Sequence, residues 1–287
     1  MNDSQTRPAA DATLTPLTEE ELADWRRDQG RRVVRHRSRW WWASRPGFYR
    51  PIHLLARLSA AEATRPTPAC WGFHATLRDE DASAANAALP AHRVTDLGSF
   101  DESHLSSNRR YQLRKARRLT TIVQLTGPRL LEEQGHAVHA SSIERTGFGD
   151  VKPRDAYVHD VSVSLRPRRR FVLAGLVDGR LAAYVEGYAA GTVAYLEDLV
   201  IATDALTTNV STALQFEFVY AAQRTPGIDE VVHGIHAPDD PQLTMYKERL
   251  GFPVQPVPAR MSMLPGATVL MRKRAPDAFY RMTGVLA

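Results

Sequence analysis

Three apolar segments between residues 171 and 202 constrain the fold more than any other part of the sequence. The first, FVLAGLV, is joined to the second, LAAYVEGYAA, by a short turn that begins with Asp178-Gly179. An Asp-Gly pair between apolar runs is a strong hairpin signal, because these residues accept the positive φ that a tight turn needs. Gly191 then separates the second segment from the third, TVAYLEDLVIA. The pattern predicts three consecutive antiparallel strands.

Helical and strand patterns alternate after these three strands. A helix is expected from the Thr208-Asn209 pair, which can cap it, to Gln223. A β-branched run over 230–235 predicts a strand, and a further helix is expected to end at Gly251, which suits a left-handed C-terminal cap. The resulting order, β-β-β-α-β-α-β, predicts an α+β or mixed α/β fold in which helices cover a sheet.

The first hundred residues have a different pattern. Thr18 and Glu21 fit a capping box that opens a short helix. Residues 31–77 contain short aromatic and β-branched segments separated by Pro and Gly, which are typical of strands in a mixed sheet. We therefore expect three parts: a mobile, disordered tail over 1–17, a β-rich part over 18–100 and a larger domain over 101–287.

Composition limits the class of protein. Of the 287 residues, 43% are hydrophobic and 24% are charged, which is ordinary for a globular protein and excludes a disordered or fibrous chain. The single cysteine, Cys70, cannot form an intramolecular disulfide, and no apolar run approaches the about 20 residues that a membrane helix needs. The first seventeen residues lack the apolar core of a secretion signal. We expect a cytoplasmic protein without a membrane span.

A dense basic segment lies in the middle of the chain, which has a formal net charge of +5. Ser106 can cap a helix that carries six cations within ten residues: Arg109, Arg110, Arg114, Lys115, Arg117 and Arg118. Helical spacing places most of these cations broadly on one side, while Leu113 and Ala116 can face the core. Like charges at this spacing repel each other, so binding of an anionic partner such as a phosphate backbone would reduce this repulsion. The alternative is a solvated face, or one neutralised by acidic residues elsewhere.

Three carboxylates, Glu186, Glu197 and Asp198, interrupt otherwise apolar strands. Strand alternation places Glu197 and Asp198 on opposite faces, so at least one carboxylate is expected to point at an apolar layer. An unpaired buried carboxylate has a raised pKa, which suits a base that takes a proton from an incoming ammonium. A structural ion pair with an arginine is the competing interpretation.

Other motifs indicate no further chemistry. The basic run Arg166, Arg168, Arg169 and Arg170 is interpreted as a loop before a strand rather than as a binding site. Two pairs of histidines, at 136 and 139 and at 233 and 236, lack a further ligand at metal-binding spacing, so no metal site is expected. A nucleophile elbow, a P-loop and a dinucleotide fingerprint are all missing from the sequence.

The order of elements, together with the segments SSNRRYQLRKARR at 106–118 and MYKERLGF at 245–252, carries a family resemblance. Over about residues 100–265 the chain resembles the Gcn5-related N-acetyltransferase (GNAT) superfamily, and within it the Fem-type aminoacyl transferases. Fem-type enzymes join two GNAT-like halves, so the resemblance implies that residues 18–100 supply a reduced first half. It also implies amide bond formation, with an aminoacyl group moving from aminoacyl-tRNA to a small amine or peptide acceptor.

Amide formation from an ester needs a neutral amine, hydrogen-bond donors for the oxyanion and positive charge near the leaving alkoxide, and these needs suggest roles for particular residues. Lys247 would supply positive charge for the leaving alkoxide, and Tyr246 a proton or a hydrogen bond. Asp198 and Glu197 would act as the base or bind the acceptor, as argued above. The end of a helix on the donor side would be lined by Asn209, Ser211 and Thr212. The alternatives are a core aromatic at Tyr246, an exposed helix residue at Lys247 and ordinary helix capping at 209–212.

The identity of the donor is left open among three alternatives. Acetyl-CoA-dependent members of the superfamily carry glycines in the loop that holds the cofactor pyrophosphate, whereas TTNVSTA at 207–213 has none. Side chains with a β-carbon obstruct a close approach of phosphate to the backbone, so aminoacyl-tRNA is favoured and no cofactor is then required. An acyl-CoA-dependent N-acyltransferase is the first alternative. A non-catalytic RNA-binding module on a degenerate transferase fold is the second.

Overall fold

The computed structural model describes residues 5–147, 149–165 and 169–285. Within these ranges the chain forms two compact units. The first unit comprises residues 5–16, 94–232 and 249–251, and the second comprises 17–93, 233–248 and 252–285. The change of unit at residue 94 is close to the expected boundary near 100. The chain after 232 differs from expectation, because much of it belongs to the second unit.

The regular elements are numbered along the chain. The strands are β1 (Thr6–Pro8), β2 (Pro16–Leu17), β3 (Val33–His36), β4 (Arg39–Arg45), β5 (Phe48–Pro51), β6 (Gly72–Thr76), β7 (Ala87–Val94), β8 (Thr121–Leu125), β9 (Phe171–Val177), β10 (Arg180–Ala190), β11 (Val193–Ile201), β12 (Glu230–Ile235) and β13 (Val254–Met263). The α-helices are α1 (Glu19–Asp28), α2 (Ser107–Leu119), α3 (His136–Thr146), α4 (Arg154–Leu165), α5 (Val210–Gln223), α6 (Pro241–Glu248), α7 (Pro265–Arg274) and α8 (Pro276–Thr283).

In the first unit, the strands follow the order β1-β8-β9-β10-β11-β12. Neighbouring strands are antiparallel except β11 and β12, which are parallel. The three strands predicted from the apolar segments are therefore confirmed as β9, β10 and β11. Asp178 and Gly179 have φ values of 49° and 77°, as the tight turn between β9 and β10 requires.

Helix α5 supplies much of the core of the first unit. Most of its residues are buried, including Leu214, Phe216 and Phe218 at 1% exposure or less. A β-carbon added to Gly187 in β10 would lie 2.6 Å from the Phe218 ring and 2.2 Å from the Tyr195 carbonyl oxygen. Glycine at this position therefore lets the helix pack closely on the sheet. The predicted helix ending at Gln223 is confirmed.

Residues 5–16 are ordered, so the expectation of a mobile tail is wrong for this part of the chain. Strand β1 pairs with β8, and Leu14 is 4% exposed. The backbone N–H of Leu14 donates to Thr225 Oγ1 at 2.9 Å, and Arg224 donates to the carbonyl oxygen of Ala9 at 2.7 Å. A few small apolar residues, together with hydrogen bonds between the segment's backbone and two side chains just after α5, hold the segment in place. Its composition nevertheless resembles that of a tail.

In the second unit, the strands follow the order β7-β13-β6-β5-β4-β3, and β5 and β6 are the parallel pair. The predicted β-rich part is thus completed by β13, a strand nearly two hundred residues later. Trp41 is fully buried, whereas Trp40 and Trp42 each lie 4.6 Å from an arginine guanidinium of α1. The mixed α/β class predicted for the chain is confirmed. None of the helices in the described ranges is long and apolar enough to cross a bilayer.

Candidate functional site

Helix α2 of the first unit is the predicted basic helix. The side chain of Ser106 accepts a hydrogen bond from the backbone N–H of Arg109 at 3.3 Å, so the predicted cap is confirmed. Leu113 and Ala116 are fully buried, as expected for the core-facing side. The remaining faces carry the six cations, and these divide into two groups of three.

Three of the cations are used within the protein. Arg109 donates to Gln112 at 2.8 Å, and Arg110 donates to the carbonyl oxygen of Leu105 at 2.6 Å. Arg117 forms an ion pair with Glu102 and a longer one, 3.9 Å, with Glu217. For Arg110 and Arg117 the alternative of neutralisation within the fold applies, because protein oxygens contact both guanidinium groups.

The other three cations, Arg114, Lys115 and Arg118, form no ion pair or side-chain hydrogen bond with any residue in the described ranges. Arg114 and Arg118 are exposed and Lys115 is half-buried. No carboxylate of the described chain therefore neutralises these three cations directly. This group is the strongest anion-attracting feature on the helix.

The three carboxylates of the first unit gather around Arg170, just before β9. Arg170 pairs with Glu186 at short range, with Glu197 at 3.6 Å and with Asp198 at 3.7 Å. The β10–β11 register shifts between Glu186 and Gly187, which pair with Asp198 and Leu196. Glu197 is the extra residue of this β-bulge, and the bulge breaks strict alternation. Glu197 and Asp198, which strict alternation would place on opposite faces of the sheet, consequently both lie near the guanidinium of Arg170.

The electrostatics of this cluster match a structural ion pair. Burial raises the pKa of Glu186, and Arg170 lowers it only in part. Burial lowers the pKa of Arg170, but Glu186 and the other two carboxylates raise it above its ordinary value. Asp198 is 66% exposed, so Glu186 is the carboxylate that faces the apolar layer. Arg170 belongs to the basic run interpreted as a loop; Arg166 and Arg168 of that run lie outside the described residues.

Backbone N–H groups at the N-terminal end of α5 are largely occupied by hydrogen bonds within the protein. Asn209 adopts a left-handed conformation with φ of 59°. The backbone N–H of Val210 donates to Thr208 Oγ1 at 3.3 Å, and that of Thr212 to the carbonyl oxygen of Asn209 at 3.0 Å. Thr212, predicted to line the donor site, is 1% exposed, and its position on the helix faces the core. Asn209 and Ser211 remain partly exposed.

Lys247 on α6 is the most unusual predicted residue of the second unit. It is only 7% exposed, and its Nζ donates to the carbonyl oxygen of His233 at 2.7 Å. Burial lowers the pKa of Lys247 from its ordinary 10.5 to about 8, although Asp240 opposes this shift. It forms no ion pair with any carboxylate of the described chain. Tyr246, next in sequence, is half-buried and points about 100° away around the helix.

Histidines gather near Lys247 in the second unit. His92 is 1% exposed, and its Nδ1 lies 3.0 Å from the carbonyl oxygen of Phe252. Burial lowers the pKa of both His92 and His233, so both are neutral at pH 7. His236 Nδ1 lies 2.8 Å from the Tyr280 hydroxyl. The sequence pattern drew attention to 233 and 236 but missed His92, because it lies more than 140 residues away along the chain.

In the described ranges, no three His, Cys, Asp or Glu side chains are arranged to hold a metal ion. An open groove in the first unit is lined by residues of the turn before α3 and of α4, including Glu132, Arg154 and His159. None of the predicted site residues lines it.

Comparison with solved structures shows what fold this arrangement belongs to. The chain is similar to the C-terminal domain of an Agrobacterium fabrum protein assigned as a lysylphosphatidylglycerol synthetase, with 12% identity, a TM-score of 0.59 and coverage of 93% and 92% of the two chains. It is similar to FemX, with 10% identity, a TM-score of 0.57 and coverage of 93% and 96%. It is also similar to L-PGS from Bacillus licheniformis, with 10% identity, a TM-score of 0.55 and coverage of 95% and 98%.

These likenesses confirm the predicted Fem-type, GNAT-like fold. They extend over nearly the whole chain, whereas the resemblance in the sequence covered only about residues 100–265. No protein-family model matches the sequence, and no curated protein matches it.

Proposed function

We propose that this protein is an acyltransferase that forms an amide bond by moving an aminoacyl group from aminoacyl-tRNA to an amine acceptor. In this reaction the acceptor nitrogen forms a bond to the ester carbonyl carbon, and the bond from that carbon to the ribose oxygen breaks. The acceptor ammonium loses a proton, and the leaving ribose oxygen gains one. Because protons move at both ends, a protein group that titrates near neutral pH would accelerate the reaction.

The observation that carries the proposal is the group of three uncompensated cations on α2. Arg114, Lys115 and Arg118 project from a helix whose other charged residues already have protein partners. Chains with the similar fold include FemX, L-PGS and the C-terminal domain of a protein assigned as a lysylphosphatidylglycerol synthetase, and the last of these names describes an enzyme that attaches a lysyl group. A carrier with a phosphate backbone would neutralise these cations and release bound counterions.

The N-terminal end of α5 argues against coenzyme A as the donor. The backbone N–H groups of Val210 and Thr212 are already bonded, and both side chains are buried. A pyrophosphate would therefore meet few free N–H groups at a place where glycine would normally allow close approach. Asn209 and Ser211 remain accessible and could contact the donor through their side chains.

Lys247 is the residue best suited to move the proton. With a pKa of about 8 it exchanges its proton readily near neutral pH. In its neutral form it can accept the proton of the acceptor ammonium, and in its charged form it can return that proton to the leaving oxygen. Glu197 and Asp198 would instead attract the cationic acceptor, since three carboxylates around a single arginine leave net negative charge. Tyr246 would supply a hydrogen bond during the transfer.

A second candidate, an RNA-binding module without catalysis, is favoured by one observation. All three carboxylates that could act as bases are paired with Arg170. Such pairing is what a fold that has lost its chemistry would retain for stability. The two candidates differ in whether Lys247 has a chemical role.

The test is a transfer assay with a panel of amines. The protein is incubated with tRNA charged with a labelled amino acid or with acetyl-CoA, each with and without ribonuclease. Amide product that needs charged tRNA and disappears with ribonuclease supports the proposal, and product that depends on acetyl-CoA overturns the choice of donor. RNA retention without product from either donor supports the binding module instead. Lys247→Met should abolish transfer, whereas Lys273→Met, at an exposed lysine of α7, should not.

A further inference from the structure

An exposed aromatic ring lies among the three free cations of α2. Tyr111 is 58% exposed, the highest exposure of any large hydrophobic or aromatic residue described. Arg114, Lys115 and Arg118 follow it by three, four and seven residues. This spacing places all four side chains on one face of the helix, opposite Leu113 and Ala116 in the core. We call these four residues the α2 stripe.

The side chain of Tyr111 makes none of the specific aromatic or polar contacts that would hold it in place within the described chain. It makes no ring-to-ring or cation–π contact and no side-chain hydrogen bond with any residue in the described ranges. Its hydroxyl has no protein partner there, and 58% of the residue's surface is open to solvent. A single exposed aromatic residue is ordinary by itself. The informative feature is its position among three cations that also lack protein partners.

We propose that the α2 stripe binds an unpaired segment of RNA, with a base stacked on Tyr111 and the adjacent phosphates held by Arg114, Lys115 and Arg118. An aromatic platform beside a track of cations is how proteins bind single strands without reading their sequence. From Tyr111 to Arg118 the helix rises about 10 Å. That distance corresponds to about three stacked nucleotides of one strand. The inference rests on the proposed RNA carrier and specifies which part of it the stripe takes.

The strand must be unpaired for a physical reason. In a duplex, every base except the terminal ones is covered on both faces by its neighbours, so a protein ring cannot stack on it. Phosphates are available in both forms. Tyr111 therefore contributes to binding of a single strand but not of the paired interior of a duplex, whereas the three cations contribute to both forms.

The experiment measures binding of a labelled twelve-nucleotide single-stranded RNA and of a blunt duplex of the same sequence, by fluorescence anisotropy over a range of salt. Tyr111→Ala should weaken single-strand binding by about 5- to 150-fold and leave duplex binding unchanged. Tyr111→Phe, which keeps the ring, should bind as the wild type does. Leu119→Ala, at an exposed position of the same helix outside the stripe, is the matched control.

The cations are tested through the salt dependence. Each substitution of Arg114, Lys115 or Arg118 by Ala should reduce the slope of log affinity against log salt by about 0.7. Arg180→Ala, which removes an exposed arginine at the start of β10, should leave the slope unchanged. Equal weakening by Tyr111→Ala and Tyr111→Phe, or no weakening by either, overturns the stacking proposal.

The outcome is separable from that of the transfer assay. Stripe-dependent binding of single strands without any amide product leaves this inference standing and overturns the proposed chemistry. Transfer from charged tRNA that is unaffected by Tyr111→Ala leaves the proposed chemistry standing and overturns this inference. No detectable binding to the single strand at low salt also overturns it.

Discussion

Replacing Lys247 with methionine should change how stability depends on pH. Lys247 is desolvated when folded, with a pKa of about 8, and returns to 10.5 when unfolded. Below about pH 8 the folded protein therefore holds a charged ammonium in a poorly solvated position, and this cost disappears above 10.5, where the lysine is neutral in both states. Linkage then predicts that the unfolding free energy of wild type, relative to Lys247→Met, rises by about 2 kcal/mol between pH 7 and pH 9.5.

The measurement is urea denaturation of both proteins at several pH values across that range. Methionine has a similar volume and no charge, so the pair isolates the ionisation from most of the packing. The variant also loses the hydrogen bond to the carbonyl oxygen of His233, and any difference in its strength between the charged and neutral lysine is already contained in the folded-state pKa. Lys273→Met, at an exposed lysine, controls for the removal of a positive charge and should show no comparable rise.

A flat difference between wild type and Lys247→Met would refute the reasoning. It would mean that the lysine keeps its ordinary pKa in the folded protein, and its assignment as the proton-transferring group would then lose its physical basis. A difference that falls with pH would contradict the sign of the argument as well. The same pKa predicts that transfer activity titrates near pH 8 in the wild type.

Three further predictions concern stability. Arg170→Met leaves Glu186 without its counter-charge and should lower the unfolding free energy by about 3–5 kcal/mol at pH 7, measured by chemical denaturation. The loss should be smaller at acidic pH, and Glu186→Gln should partly restore stability. An unchanged denaturation midpoint would contradict the ion-pair account. Leu14→Ala should cost about 2–4 kcal/mol if residues 5–16 are part of the fold, whereas a mobile segment would show no effect. Gly187→Ala should lower the unfolding free energy by at least about 1–3 kcal/mol, because the alanine β-carbon would lie 2.2 Å from the Tyr195 carbonyl oxygen. Thermal denaturation would check this, and an unchanged melting temperature would exclude such close packing.

Local signals in the sequence determined a large part of the fold. The Asp178-Gly179 turn fixed the connection between β9 and β10, and the apolar runs around it fixed the strands. The caps at Ser106 and at Thr18 marked the starts of α2 and α1. These features could be predicted because turns and caps depend on residues only a few positions apart.

The tertiary structure decided what the candidate site residues do. The bulge at Glu197 brings two adjacent carboxylates to Arg170, although alternation alone would separate them. Lys247 is buried, and its Nζ donates to the carbonyl oxygen of His233 on another element, which helical periodicity alone does not reveal.

The basic helix shows the same division between sequence and structure. Its position and its buried side followed from helical periodicity, so the sequence by itself determined that a cationic helix exists. Which cations remain free was decided by Glu102, Glu217 and the carbonyl oxygen of Leu105, which occupy Arg117 and Arg110. The sequence shows which charges are present, but only the folded chain brings their partners within hydrogen-bonding distance. Those partners come from other segments, and the separation of two segments along the chain does not indicate their distance in space.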